Sequence, residues 1–187
     1  MPGSGHAGGM MQGGGMKSGA GHGRRGQKFD FGMPGKASEV SRTVDVVMKD
    51  NYFDLKSVKV KAGETIRFKI TNKGTFLHEF GIGTAVVHKA HQKQMMTMME
   101  HGMIGASKIN HDRMKMDHGA MAGMAGMGAM GKGMPMMKHD DPNSILLEPG
   151  KSGEVIWKFT KAMKLEFACN VPGHYQSGMV GRIKFKK

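Results

Sequence analysis

Apolar and polar residues alternate in two separate blocks, residues 39–83 and 144–187, while residues 84–143 between them contain no Leu, Phe, Tyr or Trp. A period of two marks a strand with one buried face. Val44, Val46 and Met48 predict a first strand beginning near Arg42, Val58 and Val60 a second, and Ile66, Phe68 and Ile70 a third. Lys61-Ala62-Gly63-Glu64 and Asn72-Lys73-Gly74 read as turns. In the second block Ile145-Leu146-Leu147, then Val155, Trp157 and Phe159, then Leu165 and Phe167, then Ile183 and Phe185 predict four more strands. Short strands separated by Gly and Pro turns predict an all-β, antiparallel sandwich built by both blocks together.

Residues 1–38 are dominated by Gly, Met, His and Ser without apolar periodicity, and are expected to form a disordered tail. The expected organisation is therefore a tail, 1–38, and one domain, 39–187, interrupted by an insertion at about 84–143. A structureless connection of that length rarely occurs without a function of its own.

The insertion holds 14 Met and 6 His, and the whole chain 22 Met but a single Cys. Thioethers are soft ligands suited to Cu(I), although Met also fills gaps in ordinary cores. The net charge of +13 is spread out, with an excess of +4 in residues 1–38, +4 in 88–139 and +5 elsewhere. Nucleic-acid binding is not expected, because such sites concentrate charge and interleave aromatics. A diffuse positive field instead favours acidic protein partners or anionic surfaces. One Cys excludes an intramolecular disulfide. No apolar run approaches the length of a membrane span. The N-terminus lacks the pattern of a signal peptide, so an exported protein is expected to be a processed form.

The densest chemical signal is Cys169-Asn170-Val171-Pro172-Gly173-His174-Tyr175-Gln176-Ser177-Gly178-Met179, a Cys-x4-His-x4-Met pattern. Leu165, Phe167 and Cys169 share one strand face, which places the thiol at the core-facing edge. Pro172-Gly173 then turns the chain so that His174 returns to the same point, and Met179 precedes the last strand. A mononuclear copper electron-transfer site needs two imidazoles, a thiolate and a weak axial thioether. The loop supplies all but one imidazole. His78, between the apolar pairs of Phe76-Leu77 and Phe80, is the candidate for the second. Zinc is the chemical alternative for one thiolate and two imidazoles, but Met is a poor zinc ligand.

These two blocks and their ligand loop resemble the cupredoxins of the plastocyanin/azurin superfamily, and the loop spacing is similar to that of auracyanin and rusticyanin. The resemblance implies an eight-strand Greek-key sandwich with copper near one end. By motif it makes His78, Cys169 and His174 the strong ligands and Met179 the axial one. Many family members carry Asn after the first His, where it braces the ligand loop, whereas this chain has Glu79. The Met/His-rich tail and insertion around such a core resemble the periplasmic copper-resistance cupredoxins of the CopI type.

Within the insertion, a helix from His88 to Met99 would align His88, His91, Met95, Met98 and Met99 on one face. Met121, Met124, Met127 and Met130 recur every third residue among Gly and Ala, which disfavours a stable helix. Both sets are candidates for auxiliary copper binding, the first also for packing on the sandwich. In the tail, His6, Met10, Met11, Met16 and His22 stand evenly between the two readings. The resemblance implies a periplasmic protein for copper tolerance, with one redox-active copper (Cu(II)/Cu(I)), auxiliary Cu(I) capture and a redox or copper-transfer protein as partner. The competing function is a small electron carrier between redox partners. A single cupredoxin unit without further His sets is not expected to be an enzyme. On this reading, removing residues 88–139 should leave the copper centre intact.

Overall fold

The computed structural model describes residues 29–114 and 141–186. The strands are β1 (Met33–Pro34), β2 (Arg42–Lys49), β3 (Tyr52–Phe53), β4 (Ser57–Val60), β5 (Thr65–Asn72) and β6 (His78–Gly83), followed by helix α1 (Ala85–Glu100). Then come β7 (Ser144–Leu147), β8 (Ser152–Lys158), β9 (Leu165–Ala168) and β10 (Val180–Phe185). They form two five-stranded sheets, ordered β1-β8-β5-β2-β3 and β4-β10-β9-β6-β7. Every strand expected from alternation is present, and the sandwich is built by both blocks as expected.

Three expectations need correction. The sandwich is not wholly antiparallel: β2 runs parallel to β5, and β4 parallel to β10. The chain leaves the first sheet after β3, lays β4 in the second and returns as β5 beside β2, so the pairing depends on the crossover and not on local pattern. Residues 29–38, expected in the disordered tail, belong to the fold instead. Phe29 and Phe31 pack on Trp157, with ring centroids 5.6 Å away in each case, and β1 pairs with β8. Burying large aromatic surface outweighs the ordering of a few residues. Finally, β6 escaped the periodic reading. It lies between β9 and β7 with all six residues buried, so neither face is solvent-exposed and no run of alternating apolar residues marks it.

The core explains where the site falls. Phe68 and Phe53 from one sheet meet Phe80 and Phe167 from the other, with centroid separations of 5.2 Å for Phe68–Phe80 and for Phe53–Phe167. Phe80 and Phe167 themselves stack at 5.6 Å. His78 lies two residues before Phe80 and Cys169 two residues after Phe167. In these antiparallel neighbours each shares a face with its aromatic, so the stacked pair carries both ligands to the same end of the sandwich.

The first part of the insertion is folded onto this frame. Thr84 caps α1 by accepting the Val87 N–H at 3.3 Å, and Gly102, with φ of 67°, follows the helix end. The helix lies against β6 and β9. Gly83 permits this approach, since a Cβ there would lie 3.1 Å from Val87. Met95 and Met98 are fully buried, and Met99 packs partly buried against the same cluster. Each such burial contributes roughly 1.5–3 kcal/mol. The helix expected over His88–Met99 is therefore present, and its thioethers form core.

Candidate metal centre

Cys169 follows the last residue of β9, and its N–H donates to the Met179 carbonyl at 3.1 Å. The intervening loop folds back in successive turns. His174 N–H donates to Val171 O and Met179 N–H to His174 O, both at 3.0 Å. Gly173 and Gly178 carry φ of 87° and 96°, a left-handed conformation that side chains resist. The loop thus returns His174 beside Cys169. Cys169 Sγ lies 3.4 Å from His174 Nδ1 and 4.0 Å from His78 Nδ1, and the two ring nitrogens are 3.2 Å apart. One ligand atom from each of His78, Cys169 and His174 falls within 4.8 Å of the others, the only such His/Cys/Asp/Glu grouping among the described residues. Met179 is fully buried directly before β10.

The electrostatics prepare these groups to be ligands. Burial lowers the His78 pKa, an effect that Asp50 partly opposes. Burial and the neighbouring His78 lower that of His174. Burial thus disfavours the charged form of both rings. Burial pushes the Cys169 thiol up to about 12, so a metal must displace its proton on binding. His78 Nε2 donates to Asp50 Oδ1 at 3.1 Å, which fixes the tautomer that leaves Nδ1 as the donor atom. Asp50 is anchored in turn by Thr75 N–H at 2.8 Å, Phe76 N–H at 3.2 Å and the Thr75 hydroxyl at 2.8 Å. Burial would raise its pKa, but these donors bring it down to about 2.

The other side of the centre is held by Glu79. Its N–H donates to Cys169 Sγ at 3.3 Å. Its carboxylate accepts from Asn170 N–H at 3.2 Å and from Asn170 Nδ2 at 2.7 Å, and pairs with His91 Nε2 at 2.7 Å. Burial pushes Glu79 up, but the His91 charge and the Asn170 donors outweigh it and hold the carboxyl below its usual range. Glu79 thus braces the ligand loop from the position where many family members carry Asn.

Of the auxiliary candidates, His88 is buried between Asn170 Nδ2, 3.2 Å from its Nδ1, and Glu166 O, 3.4 Å from its Nε2. His91 is committed to Glu79 and to Gln94, 2.9 Å away. With Met95 and Met98 sealed in the core, the structure does not gather this set into a ligand cluster. Met121, Met124, Met127, Met130 and the tail candidates lie outside the described residues. Sequence reasoning missed Asp50, which lies in an ordinary-looking turn, and the Glu79–His91 pair, whose members stand 12 positions apart.

A buried thiol and two imidazoles at one end of a two-sheet sandwich, with a thioether five residues beyond the second, fit copper by donor softness. These features define a mononuclear copper-binding cupredoxin. The chain belongs to the plastocyanin/azurin family of copper binding proteins, whose model matches residues 40–186. It is 49% identical over 156 residues to the copper-resistant cuproprotein CopI of Pseudomonas aeruginosa, covering 82% of this chain and 81% of that one. It is 36% identical over 154 residues to CopI of Rubrivivax gelatinosus, covering 82% of this chain and 72% of the relative. The fold is similar to a reduced auracyanin of Roseiflexus castenholzii, with a TM-score of 0.52 and 18% identity over 79% of this chain and 99% of that one. Auracyanin B gives a TM-score of 0.55 at 18% identity, over 84% and 97%.

Proposed function

We propose that this protein serves copper tolerance in the periplasm, that His78, Cys169 and His174 would hold one copper with the Met179 thioether as a weaker donor, and that Met-rich sequence captures further Cu(I). Copper held there supplies a one-electron couple. The surrounding residues disfavour charge on both imidazoles and fix His78 by Asp50, and nothing in the proposal calls for a catalysed reaction. The observation that carries the reading is the three-residue donor cluster in a chain 49% identical to a copper-resistant cuproprotein. Support for capture comes from residues 115–140, which contain 8 Met and 2 His. The periplasmic placement draws on the relatives' copper-resistance names; no described helix is long and apolar enough to cross a membrane.

The electron-carrier reading draws on one feature: Phe76 is exposed beside His174, with ring centroids 6.3 Å apart, as a docking face would require. The test is metal counting and survival. Replacing Met121, Met124, Met127 and Met130 by Ala should lower the number of Cu(I) ions bound, keep one Cu(II) with its visible band, and weaken protection of a copper-sensitive strain exporting the protein. Equal Cu(I) binding and equal protection would overturn capture and leave the carrier reading.

A further inference from the structure

The α1 histidines reach the copper loop, His88 directly and His91 through Glu79. His91 pairs with Glu79, His88 meets Asn170, and Gln92 accepts from Gln176 at 3.0 Å. The His88 ring also lies 6.1 Å from that of Tyr175, whose hydroxyl donates to Glu166 at 2.9 Å. Strand parity explains the convergence. His78 and Phe80 point into the sandwich, whereas Glu79 points to the opposite face, under the helix. Its carboxylate is 97% buried there and joins the helix to Asn170, the neighbour of Cys169. Its backbone N–H reaches the sulfur itself.

We infer that α1 is a brace for the copper loop, and that His91 is a positioning residue acting on Cys169 through Glu79 and Asn170. The physical basis is the cost of a buried charge. Without His91 the Glu79 carboxylate keeps its Asn170 donors but loses its charge partner in the protein interior, and it must swing toward water or draw water in. Each response disturbs the two Asn170 hydrogen bonds and the N–H donated to the sulfur. The thiolate then changes its orientation and its donor strength toward copper, as neighbours of metal ligands do. The inference stands apart from copper tolerance and requires only that the centre binds copper.

The test compares His91→Ala with the paired change Glu79→Gln/His91→Gln, which removes both charges while keeping hydrogen-bonding groups of similar shape. In His91→Ala the one-copper Cu(II) form should show an altered thiolate-to-copper band. Its relative affinity for Cu(II) over Cu(I) should change about tenfold, equivalent to about 59 mV for a one-electron couple. The paired change should restore most of the band. A second measurement uses the unaltered protein: one equivalent of Cu(II) should slow backbone amide exchange in α1 together with the loop around Asn170. An unchanged band and potential in His91→Ala would overturn the inference, as would α1 exchange that ignores copper. Loss of one bound copper with an unchanged band would also overturn it, because His91 would then be an auxiliary ligand.

Discussion

Asp50 Oδ1 sits 3.1 Å from His78 Nε2, and this contact decides which nitrogen of His78 faces Cys169. The residue between them in space is Gly74. A Cβ there would collide with Asp50 Oδ1 and lie 2.8 Å from His78 Nε2. Gly74 is therefore a packing requirement of the Asp50–His78 contact. Asp50→Ala should weaken copper binding about 10- to 100-fold, the usual effect of removing a partner of a metal ligand. Gly74→Ala should reproduce part of the loss by displacing the carboxylate. Competition titration against a chelator measures both, and wild-type affinity in Asp50→Ala would show that the tautomer is fixed by something else.

Cys169→Ser should abolish the strong visible absorption of the Cu(II) protein, because a hydroxyl does not supply the thiolate-to-copper band. The apo fold should persist, since the exchange is nearly isosteric. Absorption spectra of the loaded variant decide the matter, and an unchanged band would remove Cys169 from the centre.

Met179→Leu should retain copper and raise the reduction potential. A weak axial thioether donates to the oxidised metal, and a hydrocarbon removes that donation and dries the site. Burial argues that the side chain itself is tolerated, because Leu is a near volume match in a core. Voltammetry gives the potential; complete loss of copper would instead make Met179 a primary ligand.

The Glu79–His91 pair predicts a pH dependence of apo-protein stability. Burial alone would lower the His91 pKa, but the charge of Glu79 raises it to about 9 from an ordinary 6.5. A raised histidine stabilises fully below its unfolded value and loses that contribution as pH rises through its folded value. The lowered Glu79 contributes above its ordinary 4.5 and loses that contribution on acidification. The pair's stabilisation is therefore full between pH 4.5 and 6.5 and fades through about 9. Denaturant midpoints of the apo wild type and of Glu79→Gln/His91→Gln should differ most inside that window and converge at alkaline pH. Gln94 and Asp141 also act on His91, and both are unchanged in the comparison. A constant difference across the range would show that the pair does not titrate as described.

The deletion that the sequence alone recommended, residues 88–139, is not the clean test it promised. It removes most of α1, exposes the core contacts of Met95 and Met98, and leaves Glu79 without His91. Substitutions within 115–140 separate capture from the centre, because they leave the described helix and strands in place.

The sequence by itself determined the period-two strands, the sandwich class and the Cys-x4-His-x4-Met loop, because each is a local pattern written within a few residues. His78 was legible by its place beside a strand. Tertiary structure alone decided the parallel pairings of β2 with β5 and β4 with β10, the burial of β6 on both faces, and the docking of Phe29 and Phe31 on Trp157. It also decided the role of α1. A helical stripe of His and Met reads equally as ligands or as packing until its neighbours are known. Here the neighbours are a hydrophobic core beneath Met95 and Met98 and a buried carboxylate beneath His91. Burial and charge pairing arise between residues distant in the chain, so no window along it contains them.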